Sequence, residues 1–259
     1  MPPKKSLGQH WLFDEASLEA MITAGAIEST DTVVEVGPGL GPLTKKLCQQ
    51  AERVIAVELD DVLAAGLADK VKAENLEVVH QSILEFDTKD LPAGYKVIAN
   101  IPYYLTSNLI RRMLENPNPP SVMVLLIQKE VAERVAAGPG SMGILSVATQ
   151  YYAEVSLKEL VPAELFTPPP KVDSQIIQIT RRSEPLFSDI DADVFFKLVR
   201  AGFSEKRKKL RSALSGGLRI TKIEADKLLE LAGTSVNARA QELDLKQWHS
   251  LYLAYCKCI

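Results

Sequence analysis

The stretch VVEVGPGLGPLTKKL (Val33–Leu47) joins a short β-branched run to a segment with leucine at helical spacing. Three glycines lie at the junction, Gly37, Gly39 and Gly41. A glycine turn between a strand and a helix lets the backbone come close to a nucleotide, as in the dinucleotide-binding fingerprint. The spacing here is G-x-G-x-G and lacks the third glycine of the nicotinamide pattern at its usual place. The stretch therefore predicts a nucleotide-binding turn, although a tight connection without a ligand would use the same glycines.

A carboxylate follows at the end of the next β-rich run, RVIAVE, where Glu58 stands 21 positions after Gly37. At the tip of a second strand, a carboxylate can accept both ribose hydroxyls of an adenosine. Together with the glycine turn, Glu58 indicates a cofactor that contains adenosine, without saying which one. A solvated charge at a strand end is the alternative.

Short β-rich runs alternate with helix-like segments from Thr32 to about Thr180, which is typical of a parallel sheet covered on both faces. The runs are TVVEV, RVIAVE, LEVVH, KVIAN, SVMVLLIQ, AEVSLKEL and SQIIQIT, with helices expected at 43–50, 62–73 and 108–115. The last two runs lack a long helix between them. We therefore expect an antiparallel hairpin at that edge of the sheet.

Beyond Arg182 the strand signals stop and amphipathic helices dominate, around residues 192–201, 205–214, 222–232 and 245–256. The segment RRSEPLFSD is the expected linker. The sequence thus predicts two domains, an α/β domain at 1–182 and a small all-helical domain at 183–259.

The fourth strand run ends in ANIPYY (Ala99–Tyr104). Because the carboxyl ends of parallel strands line the ligand crevice, Asn100 to Tyr103 should lie near the reactive end of the cofactor. The Asn100 side-chain oxygen and a backbone carbonyl freed by Pro102 are two acceptors suited to an exocyclic amine, and Tyr103 offers a stacking face. These residue types suit an extruded adenine. An Asn-x-Pro turn followed by core tyrosines is the structural alternative.

Positive charge is concentrated in one segment, although the net charge of −3 argues against a uniformly basic nucleic-acid binder. The segment KRKKLR puts five cations in six residues on one predicted helix. Such a cluster fits phosphate contacts with strong salt dependence, or a solvated helix face. Its cations are Lys206, Arg207, Lys208, Lys209 and Arg211, and Lys4, Lys5, Arg111 and Arg112 could extend the surface.

The composition, with 46% hydrophobic and 24% charged residues, is that of an ordinary globular protein. No apolar run approaches the roughly 18–20 residues of a membrane span, and no apolar segment follows the N-terminal lysines as in a signal peptide. The three cysteines and three histidines are poorly spaced for a disulfide framework or a metal site. We expect a cytoplasmic protein without a metal.

Taken together, these motifs resemble the small-subunit ribosomal RNA adenine N6,N6-dimethyltransferase family, which uses S-adenosyl-L-methionine to modify adjacent adenines near the RNA 3′ end. In order, the motifs are KKSLGQHWL, VVEVGPGLGPLT, AVELD, NIPYY, FTPPPKVDS, GFSEKRKKLRSAL and NARAQEL, which cover nearly the whole chain. The resemblance implies a Rossmann-like S-adenosylmethionine-dependent methyltransferase domain and a helical RNA-binding domain. The implied partner is small-subunit ribosomal RNA within a pre-30S-type particle, and we expect a monomer.

The resemblance also implies roles for single residues. The target-base motif would comprise Asn100, Ile101, Pro102 and Tyr103, with Phe166 as a second aromatic wall. The cofactor would be held by Gly37, Gly39, Glu58 and Asn100, with His10 and Leu12 closing over it. Ser82 stands where many relatives carry an acidic residue that can accept from the cofactor's adenine amine, so we expect a weaker contact there. His10 stands where other members have Asn, and either can offer a hydrogen bond.

Three other functions fit parts of this pattern. The macrolide-resistance type of 23S ribosomal RNA adenine methyltransferase shares the catalytic motifs, but the tail and FTPPPKVDS favour the small-subunit enzyme. A non-catalytic RNA-binding factor of ribosome assembly would not need Asn100, Tyr103, Gly37 and Glu58 intact. A nicotinamide dehydrogenase leaves NIPYY unexplained. The sequence thus predicts dimethylation of two adjacent adenosines during small-subunit biogenesis.

Overall fold

The computed structural model describes residues 8–205 and 207–258, and the chain divides into two compact units. The first comprises the residues up to Glu133 together with Glu154–Arg181, and the second comprises Arg134–Ala153 together with the residues from Arg182 onward. The sequence-based boundary counts 134–153 with the first domain. The structure groups this segment with the second unit because Val147 and Tyr151 belong to the helical core there.

Among the described residues, nine strands and five helices lie wholly or partly in the first unit. The strands are β1 (Trp11–Leu12), β2 (Thr32–Val36), β3 (Arg53–Glu58), β4 (Leu76–His80), β5 (Lys96–Asn100), β6 (Val122–Gln128), β7 (Ala153–Val161), β8 (Phe166–Thr167) and β9 (Ser174–Arg181). The helices are α1 (Glu15–Gly25), α2 (Pro42–Gln50), α3 (Asp61–Val71), α4 (Thr106–Leu114) and α5 (Lys129–Val135). All seven predicted strand runs are strands of one sheet.

The central sheet has the order β4-β3-β2-β5-β6-β9-β7. The first five strands in this order are mutually parallel, and β9 runs antiparallel to β6. The predicted α/β architecture is thereby confirmed. Since β2 lies between β3 and β5, the strand order reverses at β2, and a ligand crevice is expected outside the carboxyl ends of these strands.

The centre of the first unit is apolar, as a doubly covered parallel sheet requires. All five residues of β2 are buried, and its neighbours β3 and β5 contribute Val54 and Ile98 to a core with Leu18 and Met21 of α1. Strands buried on both faces read as continuous hydrophobic runs, which explains TVVEV and KVIAN. Glu35 is the exception inside β2.

The second unit is helical and has its own core. Its helices are α6 (Ile144–Tyr152), α7 (Ala192–Gly202), α8 (Leu210–Leu218), α9 (Lys222–Leu231) and α10 (Leu245–Cys258). The last two residues of α5 also belong to this unit. Phe195 and Trp248 are fully buried in that core. No helix in the part of the chain that the structure describes is long and apolar enough to cross a membrane.

The predicted helix over 205–214 is wrong at its start, because α8 begins only at Leu210. Lys209 has the extended conformation of a helix cap, and Leu210 is the first residue whose side chain is buried in the core. Arg207, Lys208 and Lys209 therefore precede the helix, and Arg211 is its second residue.

Candidate active site

One cavity lies at the carboxyl ends of β2, β3 and β5, within the first unit. It is lined by residues 8–12, 35–40, 57–59, 81–84 and 100–105, together with Leu18, Pro42 and Leu43. Ten predicted site residues meet there: His10, Leu12, Gly37, Gly39, Glu58, Ser82, Asn100, Ile101, Pro102 and Tyr103. They come from five separate parts of the sequence. The crevice rule for parallel sheets accounts for this convergence.

The glycine turn brings its backbone into the cavity wall. Gly37 and Gly39 have φ values of +65° and +62°, which side chains other than glycine adopt only with strain. A Cβ on Gly39 would also come within 3.3 Å of the Trp11 ring. The two glycines thus fit the turn for reasons of conformation and, at Gly39, of space.

Glu58 ends β3 with its carboxylate held by the backbone. Its Oε2 accepts from Gly39 N at 3.1 Å and its Oε1 accepts from Asp60 N at 2.9 Å. Glu58 is only 6% exposed, and this burial raises the pKa of its carboxyl group. An ionised carboxylate offers about four lone-pair sites. Glu58 therefore keeps acceptor capacity for ligand hydroxyls while it fixes the glycine turn.

Glu35 is a second acid in the cavity lining that the sequence reasoning missed. It is 2% exposed, and its Oε2 has no hydrogen-bond partner among the described residues. Burial raises the pKa of Glu35 to about 8, because an apolar surrounding disfavours the charged form. A glutamate inside an otherwise apolar strand run was the available sequence signal.

The raised pKa of Glu35 predicts how stability depends on pH. Between its ordinary pKa of 4.5 and its folded pKa of about 8, the folded protein holds a proton that the unfolded chain releases. This contribution to stability is complete below pH 4.5 and is lost as the pH rises to 8. Each unit of pKa difference is worth about 1.4 kcal/mol. Glu35→Gln, which cannot titrate, should therefore lose less thermal stability than the wild type from pH 5 to pH 8.

Thermal unfolding of both proteins at pH 5, 6.5 and 8 measures this difference. Between pH 5 and pH 8, the difference between the melting temperatures of the two proteins should change by at least about 3 °C. A change of 1 kcal/mol in the free energy of unfolding shifts the melting temperature by roughly 2–4 °C for a protein unit of this size. Parallel pH profiles would contradict the prediction.

Asn100 ends β5 with its amide tied to the N-terminal segment. Its Nδ2 donates to the backbone oxygen of His10 at 3.2 Å, which leaves the side-chain carbonyl as the group that can accept from a ligand. The His10 Nδ1 lies 2.7 Å from the carbonyl oxygen of Pro168 and must be the donor, since a carbonyl only accepts. The segment around His10 is thus held over the end of β5.

The two tyrosines of ANIPYY differ in their surroundings. The hydroxyl of Tyr103 lies 2.8 Å from Ser174 Oγ at the start of β9, and its ring lies at 19° to the His10 ring with the centroids 6.0 Å apart. Burial raises the pKa of Tyr103, so that its hydroxyl stays protonated at neutral pH. Tyr104, by contrast, is 63% exposed at the cavity mouth.

Two further predicted residues differ in how they reach the cavity. Ser82 lines it, and its Oγ accepts from Leu84 N at 3.3 Å. Phe166 is absent from the lining: it is 2% exposed and packs in the core, where it pairs with Leu12 in a two-stranded antiparallel sheet of β1 and β8. A role for Phe166 as an aromatic wall stays a prediction.

The predicted cationic cluster is heterogeneous in the structure. Lys206 lies outside the described residues, whereas Arg207 and Lys208 are exposed ahead of α8. Lys209 Nζ donates to Asn237 Oδ1 at 2.6 Å, and Arg211 Nη2 forms an ion pair with Asp226 Oδ2 at 2.7 Å. Lys209 and Arg211 thus have partners within the chain, and the exposed Arg207 and Lys208 are the described candidates for contacts outside it.

No group of three His, Cys, Asp or Glu side chains in residues 8–205 and 207–258 could hold an ion. The arrangement that remains is an acidic, glycine-lined cavity beside an amide acceptor and an aromatic ring. It suits a nucleoside cofactor and a planar base with an exocyclic amine.

Known proteins with similar sequences modify ribosomal RNA. The model of the family described as ribosomal RNA adenine dimethylase matches residues 2–257. A ribosomal RNA small subunit methyltransferase A of Dehalococcoides mccartyi is 41% identical over 256 residues, covering 97% of this chain and 88% of that protein. The protein of the same name from Geobacillus thermodenitrificans is 38% identical, covering 96% and 89%.

Solved structures agree in fold. A dimethyladenosine transferase from Plasmodium falciparum has a TM-score of 0.82 at 27% identity, over 96% of this chain and 98% of that one. The 23S rRNA methyltransferase ErmE has a TM-score of 0.75 at 27% identity, over 94% and 98%. From the family match over nearly its full length and from relatives near 40% identity, the chain belongs to the ribosomal RNA adenine dimethylase family.

Proposed function

We propose that the protein uses S-adenosyl-L-methionine to dimethylate N6 of two adjacent adenosines near the 3′ end of small-subunit ribosomal RNA. The observation that carries this proposal is the meeting of Glu58, the glycine turn and Asn100–Tyr103 in one cavity. Family membership supports the reaction class, and the curated relatives named for the small subunit support the substrate.

The residues present fit this cofactor. Glu58 is buried, is anchored by two backbone N–H groups and has remaining acceptor capacity for ribose hydroxyls. Glu35 places a second carboxyl in the same lining, and because its pKa is raised to about 8 it is mostly protonated at neutral pH and can donate a hydrogen bond as well as accept one. Ser82 could accept from an adenine amine. When bound, S-adenosylmethionine supplies an electrophilic methyl group on a sulfonium.

The chain's own residues would activate the amine by position and electrostatics. Adenine N6 is a poor nucleophile because its lone pair is delocalised into the ring. The Asn100 carbonyl and a backbone carbonyl of the Asn100–Pro102 turn can accept from the two N–H groups and favour a tetrahedral nitrogen. Such preorganised groups act mainly in the transition state. The ring of Tyr103 would hold the base by stacking.

No dedicated general base is required in this scheme. The raised pKa of Tyr103 makes its hydroxyl a poor proton acceptor, and its bond with Ser174 serves to fix the ring. The proton can leave after methyl transfer, when the nitrogen has become strongly acidic. A cavity that admits N6-methyladenine would support a second transfer to the same nitrogen.

The experiment that tests this function uses small ribosomal subunits from cells that lack the modification. Purified protein and labelled S-adenosylmethionine are added, and the modified nucleotides are mapped. Dimethyladenosine at two adjacent positions near the 3′ end of the small-subunit RNA is the expected result. Methylation of 23S RNA instead would support the macrolide-resistance type, and particle binding without label transfer would support an assembly factor.

The helical unit is proposed to hold the particle through phosphate contacts. The partner would be a pre-30S-type particle, with the protein acting as a monomer in the cytoplasm. Arg207, Lys208 and Lys209 are exposed in the described part of the cluster, and Lys209 is already bonded to Asn237. Their charges would displace counterions from RNA, so that affinity falls steeply with salt.

Replacing Arg207 and Lys208 together with Ala should weaken particle binding and lower the salt slope by about two, one for each phosphate contact. Binding measured between about 50 and 200 mM salt gives this slope. Lys222→Ala with Lys246→Ala removes the same charge from exposed positions of the same unit and serves as the matched control. A slope that is unchanged, or equally reduced in the control, would leave the cluster as a solvated surface.

A further inference from the structure

Tyr104 is a large exposed ring at the mouth of the cavity. Single exposed apolar residues are common on protein surfaces, so the exposure of 63% alone carries no conclusion. Its position is informative, because Tyr104 directly follows Tyr103 and also lines the cavity. One aromatic ring is thus fixed inside the site, and the next one stands at the entrance.

The backbone under Tyr104 is well anchored. Tyr104 is the middle residue of a 3-10 turn over Tyr103–Leu105 that leads directly into α4. Leu105 N donates to Pro102 O at 3.0 Å, and Thr106 Oγ1 donates to Tyr103 O at 3.1 Å. Leu105 itself is buried. The ring of Tyr104 is therefore presented from a fixed point beside Tyr103.

Among the described residues, one neighbour of Tyr104 is Gly8. A Cβ built on Gly8 would lie 3.8 Å from Tyr104 Cδ1 and 3.9 Å from Cε1, so one edge of the ring lies beside a residue without a side chain. Most of the ring surface remains open to solvent. An aromatic ring so placed contributes little to the core and is available for stacking.

The substrate of this family is a polynucleotide, so the group that could stack on the Tyr104 ring is a base of the same RNA strand. When an adenine is extruded into the cavity, its neighbour in the strand loses a stacking partner. The strand must also leave the cavity through the mouth. We propose that Tyr104 is a positioning residue on which the base next to the target adenine stacks while Tyr103 holds the target. This inference rests on the proposed function.

Replacement of Tyr104 should therefore change RNA capture and leave the chemical step nearly intact. Stacking of one base on an aromatic side chain is worth about 1–3 kcal/mol, which corresponds to roughly fivefold to 150-fold in affinity. Tyr104→Ala should raise the half-saturating particle concentration by at least about fivefold. The single-turnover rate at saturating particle and the affinity for S-adenosylmethionine should stay within about twofold.

The test uses small-subunit particles reconstituted with 2-aminopurine in place of one of the two adjacent adenosines. This base is fluorescent, is quenched when it stacks, and lacks an N6 amine, so that it reports on the neighbour without accepting a methyl group. Tyr104→Phe keeps an aromatic face, whereas Tyr104→Leu keeps apolar bulk without one. The wild type and the Phe variant should quench the probe and methylate the remaining adenosine with similar half-saturating concentrations.

The Ala and Leu variants should leave the probe bright and bind the particle weakly. The inference is overturned if Tyr104→Ala quenches the probe and half-saturates as the wild type does. It is also overturned if Tyr104→Leu restores both readouts fully, because apolar bulk and not stacking would then explain the role of Tyr104. If the wild type methylates no particle at all, the proposed function fails. That result differs from one in which the wild type is active and the Ala variant matches it.

Discussion

Asn100→Ala should slow the methyl-transfer step by about a hundredfold or more while particle binding stays close to wild type. The Asn100 Nδ2 donates to His10 O, so the side-chain carbonyl is the acceptor available for N6. Removal of one preorganised polar group from a catalytic site typically costs about 10²–10³ in kcat. Under the proposed function, phosphate contacts elsewhere would supply most of the affinity for the particle. Single-turnover methylation at saturating particle and cofactor measures the effect, with particle binding followed in parallel.

Asn118→Ala is the matched control for this change. The Asn118 Nδ2 donates to Thr88 O at 2.8 Å and Leu91 O at 3.0 Å, away from the cavity lining. Its loss should lower stability and leave the methylation rate of the folded protein unchanged. If Asn100→Ala methylates at the wild-type rate, or loses activity only because it no longer binds the particle, then ANIPYY is a structural turn.

Glu58→Ala should weaken S-adenosylmethionine binding by about a hundredfold or more. Hydrogen bonds to a charged group are worth about 1.5–3 kcal/mol each, and the ribose would lose its two. The change also removes the acceptor for Gly39 N and Asp60 N, which loosens the glycine turn. Calorimetric titration with the cofactor measures the loss, and thermal unfolding reports whether the fold survives.

Two further variants test whether the loss of affinity is specific to the carboxylate of Glu58. Glu58→Gln keeps one acceptor oxygen and should bind the cofactor with intermediate affinity. Glu77→Ala removes an exposed carboxylate of β4 that pairs with Arg53 and should leave the affinity unchanged. Cofactor affinity in a folded Glu58→Ala protein equal to that of the wild type would refute the assignment of this residue.

The sheet could be predicted from the sequence because its strands are short, β-branched and bounded by polar turns. The helices differed in how well the sequence predicted them. α6 reads ILSVATQYY, with residues that favour strands, and is helical because Val147 and Tyr151 pack into the core of the second unit. α1 was missed although a signal was present, with Asp14 capping the helix and Leu18 and Met21 on its buried side.

The meeting of most predicted site residues in one cavity was predictable for a topological reason. In a parallel sheet, residues at the carboxyl ends of strands meet, which brings together Gly37, Glu58 and Asn100. Burial was not predictable in this way. It decides that Glu35 becomes a high-pKa acid and that Phe166 packs in the core. Arg211 has a partner in Asp226 that only the folded helices bring near.

The pairing of β1 with β8 bears on when the cavity can form during synthesis. His10 meets the carbonyl oxygen of Pro168, a residue 158 positions later in the chain, and Trp11 pairs with Thr167. A chain emerging from the ribosome can assemble β2 and β3 early, since they are close in sequence. The wall over Asn100 must wait until Pro168 has emerged as well. A nascent chain that ends before β8 would thus lack the wall over Asn100, so the cavity can close only after β8 has emerged, shortly before β9 completes the first unit.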